Sequence, residues 1–169
     1  MKLAPLNLKR QRNNQSINPD TIKKSMRNLL IFLLAILGLG AIFGGAVLII
    51  SPSGNLFGMP LSMLQNSPFN NFLIPGIILF SVLGLVPAGL TIALIKKPKI
   101  KFAGLFNCYT DMYWAWTYCI YTAFALIIWI QLEMTFLRAV HWSHTLYMFF
   151  AIAILFVALL PQVRNQYKK

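Results

Sequence analysis

Charged residues are scarce in this 169-residue chain, and acidic residues are almost missing. Only 11% of the residues are charged, whereas a soluble domain carries about 25%. The three acids, Asp20, Asp111 and Glu133, stand against fifteen Lys and Arg, and the formal net charge is +12. Because 58% of the residues are hydrophobic, a chain of this size cannot hide its apolar surface in its own core. The composition argues against a soluble domain and predicts that lipid surrounds the chain.

Cysteine is also rare, and catalytic motifs are missing. Cys108 and Cys119 form no CxxC pair, so the sequence indicates neither a redox motif nor a zinc knuckle. The chain has no Walker loop, no HExxH, no GxSxG and no haem-attachment CxxCH. We therefore expect no catalytic residue, no metal ion and no cofactor.

Glycine and proline are absent from residues 105–160. As one straight helix this stretch would run roughly 84 Å, far beyond the thickness of a bilayer. The chain must therefore turn without the usual helix breakers. Polarity peaks between Glu133 and Ser143, so we place the turn there and expect Ser143 to cap the next helix.

Long apolar runs are what the sequence has in abundance. The first, residues 29–50, would span roughly 33 Å as a helix, which is enough for the hydrocarbon layer. We predict an all-α, polytopic integral membrane protein with four transmembrane helices. The predicted parts are spans at 29–50, 72–95, 111–132 and 143–160, an uncharged outer cap at 51–71, and basic tails at 1–28 and 161–169.

The basic residues give the four spans a direction. Seven lie in the N-terminal tail, four in the hinge at 96–101 and three in the C-terminal tail, whereas Arg138 is alone on the other side. By the positive-inside rule, both termini are predicted to be cytoplasmic. The expected partners are the lipid bilayer and anionic headgroups at the cytoplasmic face. Nucleic acid is not expected, because the bases form no continuous face.

Small residues and a proline mark candidate helix contacts. Gly40 and Gly44 are four residues apart in the first span, and Gly84 lies near Pro87 in the second. Small residues at this spacing let helices approach closely, and an interior proline usually kinks a helix. We expect these residues to serve packing within the bundle, with a seam in a homo-oligomer as the alternative.

Aromatic rings crowd the start of the third span. Tyr and Trp gather where headgroups meet acyl chains, because the ring is apolar and its edge is polar. The pattern favours an interfacial belt over an aromatic ligand cage. The six rings are Tyr109, Tyr113, Trp114, Trp116, Tyr118 and Tyr121.

The stretch "WIQLEMTFLRAVHWSH", residues 129–144, holds a polar cluster between apolar runs. Glu133 is the only acid on that side, and we expect it to pair with Arg138 or with a histidine across the turn. Structural chemistry at the interface, a ligand or partner site, and catalysis are all open. The binding candidates are Trp129, Glu133, Arg138, His141, Trp142 and His144.

Two stretches, "FGMPLSMLQNSPFNNFLIPGIIL" and "WIQLEMTFLRAVHW", resemble a group of small four-helix bacterial inner-membrane proteins with no known activity. The resemblance covers about half of the chain and carries no catalytic residue over. It implies the four-helix architecture and the inner (plasma) membrane of a bacterium. It also implies an outer pocket with residues 56–69 as its roof, and with a floor of Trp129, Glu133, Arg138, His141 and Trp142.

The predicted function is non-enzymatic. We expect a small membrane protein that binds a lipid, a hydrophobic ligand or a membrane-protein partner near the outer leaflet. One alternative is a component of a small transporter or channel, motivated by the Pro87 kink and the glycines, and it would need an oligomer. Another is a membrane enzyme with Glu133 and His141 as an acid–base pair.

Overall fold

A computed structural model describes residues 18–100 and 102–169, and four long helices dominate them. All four are long and apolar enough to cross a membrane, so the predicted all-α class with four membrane-spanning helices is confirmed. Contact with a lipid bilayer follows from this architecture. Of the predicted N-terminal tail, residues 1–17 lie outside the described residues. The helices are α1 (Pro19–Ile50), α2 (Leu73–Lys96), α3 (Trp114–Leu137), α4 (Trp142–Leu159) and a short α5 (Pro161–Arg164).

Because the long helices alternate in direction, the connections gather at two ends of the bundle. Nine of the ten Lys and Arg among the described residues lie at one end, and Arg138 lies at the other. The basic end consists of residues 18–28, 96–100, 102–113 and 160–169 with the adjoining helix turns. The cap end consists of residues 51–72 and 138–141 with the adjoining helix turns.

The first helix begins about three turns before its apolar run. The Asn18 side chain accepts a hydrogen bond from the Asp20 N–H at 3.0 Å, and Pro19 opens the helix. Proline suits this position, because its missing N–H would have no partner there. An exposed pair of Asp20 and Lys23, at 3.1 Å, follows in the first turns. The basic segment is therefore the end of the membrane helix itself and continues into it without a break.

Helices α1 and α2 approach each other along a seam of glycines. A Cβ added to Gly45 would lie only 2.6 Å from the backbone nitrogen of Phe80. The same crowding, with a nearest atom at 2.8 to 2.9 Å, holds at Gly38, Gly76 and Gly84. Helix association in lipid depends on close van der Waals packing, which small residues allow. The seam fixes the two helices against each other.

The glycines expected to mediate packing differ in their surroundings. Gly84 lies in the seam, and the nearby Pro87 is buried. Gly40 has no atom within 4 Å of an added Cβ, and Gly44 meets only a Leu79 side-chain carbon at 3.5 Å. In α1 the close contact is made instead by Gly38 and Gly45. These two are seven residues apart, so they return to one face after two turns.

The middle of α2 is wound as a π-helix. Regular α-helix at Leu73–Ile78 and Val86–Lys96 flanks a π segment at Leu79–Leu85. Pro87 lies two residues after the π segment; proline has no N–H to donate, and its ring clashes with the carbonyl four residues earlier in a regular helix. The wider π turns move that carbonyl away from the ring. The distortion predicted at Pro87 thus takes the form of a wider winding just before it.

The basic end is closed around Tyr167. Its ring is 1% exposed, its hydroxyl donates to the Leu94 carbonyl at 3.2 Å, and its carbonyl accepts from the Tyr113 N–H at 2.7 Å. The Lys97 ammonium lies 4.9 Å from the ring centre. Burial raises the pKa of Tyr167 to about 12, and the positive charge of Arg27 opposes part of this rise. The C-terminal residues therefore belong to the packed interior at this end.

Aromatic side chains at the start of α3 hold the loop that joins it to α2. The Tyr113 hydroxyl donates to the Pro98 carbonyl at 2.8 Å, and Trp114 Nε1 donates to the same oxygen at 3.2 Å. The Tyr121 hydroxyl donates to the Phe106 carbonyl at 3.0 Å. Tyrosine and tryptophan need such polar partners where their rings lie among apolar groups. The aromatic belt therefore anchors this loop to α3.

Candidate functional site

Residues 51–72 fold over the ends of the helices as a cap. The Phe72 N–H donates to the Pro52 carbonyl at 2.8 Å, which brings the two ends of the cap together. Leu64 and Phe72 are buried against Leu48 of α1. The segment has no charged group that would have to lose its water, so it packs on the bundle at little cost. Two short 3₁₀ turns lie within it, Asn55–Phe57 and Leu61–Leu64.

A cavity of about 290 Å³, here called the cap cavity, lies between the cap, α1, α2 and the last turns of α3. Met59 of the cap, Ile78 of α2 and Leu132 of α3 are among its apolar lining residues. Phe69 of the cap meets Phe136 of α3 edge to face, with ring centroids 6.2 Å apart. This contact joins the cap to α3 and closes one side of the cavity.

Glu133 brings the only carboxyl group to the lining of the cap cavity. Its Oε1 accepts a hydrogen bond from Trp129 Nε1 at 2.8 Å, one helical turn earlier. Its Oε2 lies 3.9 Å from Nε2 of His144, which is too far for a hydrogen bond. A third of the side chain, 33%, is exposed. Because an ionised carboxylate can accept about four hydrogen bonds, Glu133 retains unused acceptor capacity.

A tight turn joins α3 to α4 beside this group. Arg138 ends α3 in the left-handed conformation, with φ of 46°, where glycine is more usual. His141 is the N-cap of α4, and its backbone N–H donates to Nδ1 of His144 at 3.1 Å. Ser143, the cap expected from the sequence, lies inside the first turn. The prediction was wrong because the helix begins one residue earlier, at Trp142, and the His144 imidazole at the third helical position accepts the N-cap N–H as a Glu or Gln does in a capping box.

A smaller cavity of about 150 Å³ lies deeper in the bundle and shares two lining residues, Trp129 and Glu133, with the cap cavity. Gly40 and Gly44 of α1 border it, as does Tyr147 of α4. The two glycines that make no close contact in the seam therefore face empty space. Trp129 and Glu133 separate this inner space from the cap cavity.

The structure brings together only some of the predicted site residues. Trp129 and Glu133 line the cap cavity, and His144, 6% exposed, lies behind Glu133. Trp142 is 78% exposed on the outside of the bundle. Among the described residues, Arg138 forms no ion pair with Glu133, so the neighbour that the acid finds across the turn is a histidine.

Sequence reasoning did not find the aromatic and aliphatic residues that shape the cavity. Phe136 and Leu132 on α3 were not singled out, although Trp129, Glu133 and Phe136 recur at helical spacing and therefore share one face. Phe69 was only part of a predicted roof. Its contact with Phe136 joins residues far apart in sequence, and no local pattern indicates it.

No protein-family model, no curated protein and no solved structure matches the chain. The resemblance to small four-helix bacterial membrane proteins is therefore supported only in its architecture, by the four apolar helices. In the part of the chain that the structure describes, no group of three His, Cys, Asp or Glu could hold a metal ion. The chemistry on which a function can rest is the carboxyl group in the wall of the cap cavity.

Proposed function

We propose that this small polytopic membrane protein binds a hydrophobic molecule with one long chain in the cap cavity. The observation that carries the proposal is the cavity itself, about 290 Å³ of space with apolar walls and one carboxyl group. Ligand pockets have volumes of about 300 Å³ or more and combine apolar walls with a few polar groups that orient the ligand. A space at the lower end of this range suits a single chain better than a lipid with two.

The position of the cavity supports a ligand that arrives from the bilayer. Leu132 lines the cavity and is also 43% exposed on the surface of a membrane-crossing helix. An apolar chain in the surrounding lipid can therefore reach the cavity sideways, without passing through water. The apolar surface of the ligand stays out of water throughout this transfer, so the transfer costs no hydrophobic free energy.

The charge distribution supports an orientation for the site. Nine of the ten described Lys and Arg lie at the basic end, opposite the cap. By the positive-inside rule the basic end is cytoplasmic, in contact with anionic headgroups, and the cap lies at the outer leaflet. With the resemblance described above, the setting we propose is the inner membrane of a bacterium.

A native cysteine allows a direct test of this orientation. Cys108 is exposed at the basic end, whereas Cys119 is buried. In spheroplasts, a membrane-impermeant maleimide should leave Cys108 unlabelled until the cells are opened with detergent. A Ser53→Cys variant, with the new thiol on the exposed part of the cap, should be labelled at once. Labelling of Cys108 in sealed spheroplasts would show that the orientation is the opposite of the one proposed.

Binding can be tested by filling the cavity. Met59 lines it, whereas Leu61, two residues on in the same cap, is 46% exposed and does not. With protein in phosphatidylcholine nanodiscs, bromododecanol should quench the fluorescence of Trp129, and Trp129→Phe should lose this part of the quenching. Met59→Phe should weaken the binding of bromododecanol, measured by this quenching, about tenfold, because the larger side chain occupies space that the ligand needs. Leu61→Phe should leave it unchanged. Equal quenching in all of these variants would disprove a site in the cap cavity.

A further inference from the structure

Glu133 is a carboxyl group with incomplete partners in the wall of an apolar cavity. The Trp129 N–H occupies one oxygen at 2.8 Å, and the other oxygen is 3.9 Å from Nε2 of His144. A carboxylate inside a membrane protein is costly unless a cation or several donors compensate it. Among the described residues, no Lys or Arg forms an ion pair with Glu133. Part of that compensation is left for a bound molecule to supply.

The histidine beside it does not bring a positive charge. Nδ1 of His144 accepts the N–H of His141 at 3.1 Å, so Nδ1 carries no proton. The imidazole is therefore neutral, with its single proton on Nε2, the atom nearest to Glu133. At 3.9 Å this neutral ring makes no hydrogen bond to Glu133, and it brings no positive charge to the carboxyl group.

We infer that the cap cavity selects molecules that carry a primary ammonium group on one long apolar chain, with Glu133 as the residue that binds the ammonium. The inference rests on the proposed function and adds to it the chemical class of the ligand. The ammonium would donate to the free acceptor positions of Glu133, and the chain would lie among residues such as Met59, Leu64 and Ile78. A hydrogen bond between charged groups is about twice as strong as a neutral one.

Two sources could supply this chemistry. One is a free single-chain amine that enters from outside the cell. The other is the ethanolamine headgroup of a membrane phospholipid, with one of its chains in the cavity. Both carry a primary ammonium and a long apolar chain, with a phosphodiester and a glycerol between the two in the phospholipid. The experiment therefore needs an arm that separates the two sources.

The test uses three probes with the same brominated chain and different heads: bromododecylamine, bromododecanol and bromododecanoate. Their quenching of Trp129 fluorescence is measured on the full chain in phosphatidylcholine nanodiscs. Glu133→Gln removes the charge and keeps the shape. Asp111→Asn makes the same change of charge at an exposed position of the basic end, and it is the matched control. A second set of nanodiscs contains phosphatidylethanolamine.

In the unaltered protein and in Asp111→Asn, the amine should bind about tenfold more tightly than the alcohol, and the carboxylate most weakly. Glu133→Gln should bind the alcohol as before and lose the preference for the amine. If phosphatidylethanolamine is the source, its presence should weaken amine binding, whereas a free amine as the source predicts no competition. Equal binding of amine and alcohol by the unaltered protein would overturn the inference and leave the proposed function standing. If none of the probes quenches Trp129, both fail.

Discussion

The two ends of the bundle differ in how fully their polar groups are hydrogen-bonded and in how much empty space lies between their side chains. At the basic end, Tyr167 is buried, and Trp116, 1% exposed, donates its Nε1 proton to the Ala158 carbonyl at 2.8 Å. At the cap end, Glu133 has one hydrogen bond, and about 290 Å³ next to it is unfilled. Both ends are rich in aromatic residues, so composition does not explain the difference.

The contrast shows which aromatic residues hold the fold and which are free for another task. The rings at the start of α3 donate to loop carbonyls such as that of Pro98, and this fixes the basic end. At the cap end, Phe69 and Phe136 meet edge to face at the border of a cavity and have no polar group to donate. Ligand sites are expected where packing is incomplete and a polar group remains short of partners, which here is the cap end.

The largest expected effect is a difference in stability between variants at the two ends of the bundle. Trp116→Ala should lower the free energy of unfolding by about 3–5 kcal/mol, because a buried ring and its hydrogen bond are lost together. Leu137→Ala, at the wall of the cap cavity, should cost only about 1 kcal/mol, because that side chain already borders empty space. Unfolding in mixed micelles of increasing denaturing detergent measures both. Equal losses would mean that the two ends are packed alike.

A smaller effect is expected in the glycine seam, which continues to the cap end. Gly45→Ala places a Cβ 2.6 Å from the Phe80 nitrogen, so the backbones must separate, at about 1–3 kcal/mol. Gly40→Ala meets nothing within 4 Å and should stabilise the helix by up to about 1 kcal/mol, because alanine favours helix. Thermal denaturation in nanodiscs compares the two. If Gly40→Ala is the more harmful, the seam has been placed on the wrong face of α1.

The smallest effect concerns pH at the basic end. The pKa of Tyr167 is about 12 in the folded protein, above the ordinary value of 10.0, so folding favours its neutral form. This contribution is complete below pH 10 and is lost as the pH rises from about 10 to 12. Tyr167→Phe should be about 1 kcal/mol less stable at pH 8, because the bond to Leu94 is missing. Its stability should also fall less steeply above pH 10 in a chemical unfolding series. Parallel curves for the two proteins would contradict a buried, neutral Tyr167.

The four membrane helices could be predicted from the sequence because each apolar run is long enough to be unambiguous. The helix ends were harder to place, since polar turns such as those at Lys23 continue the same helix. Tyr167 and Val163 were missed as interior residues, because their short polar segment is buried by distant parts of the chain. The glycine spacing indicated close packing in α1, but which glycines meet α2 depends on the rotation of the helix about its axis.

The π segment of α2 affects which residues of that helix face α1. Gly76 and Gly84 both face α1, yet they are eight residues apart, and in a regular α-helix eight residues overshoot two turns by about 80°. The π turns at Leu79–Leu85 contain more residues per turn, which reduces the angle between the two glycines. A regular helix with one residue fewer would bring the two glycines into phase by itself, at the seven-residue interval that Gly38 and Gly45 have in α1. The second helix thus contains one surplus residue, which its winding absorbs in the middle of the helix.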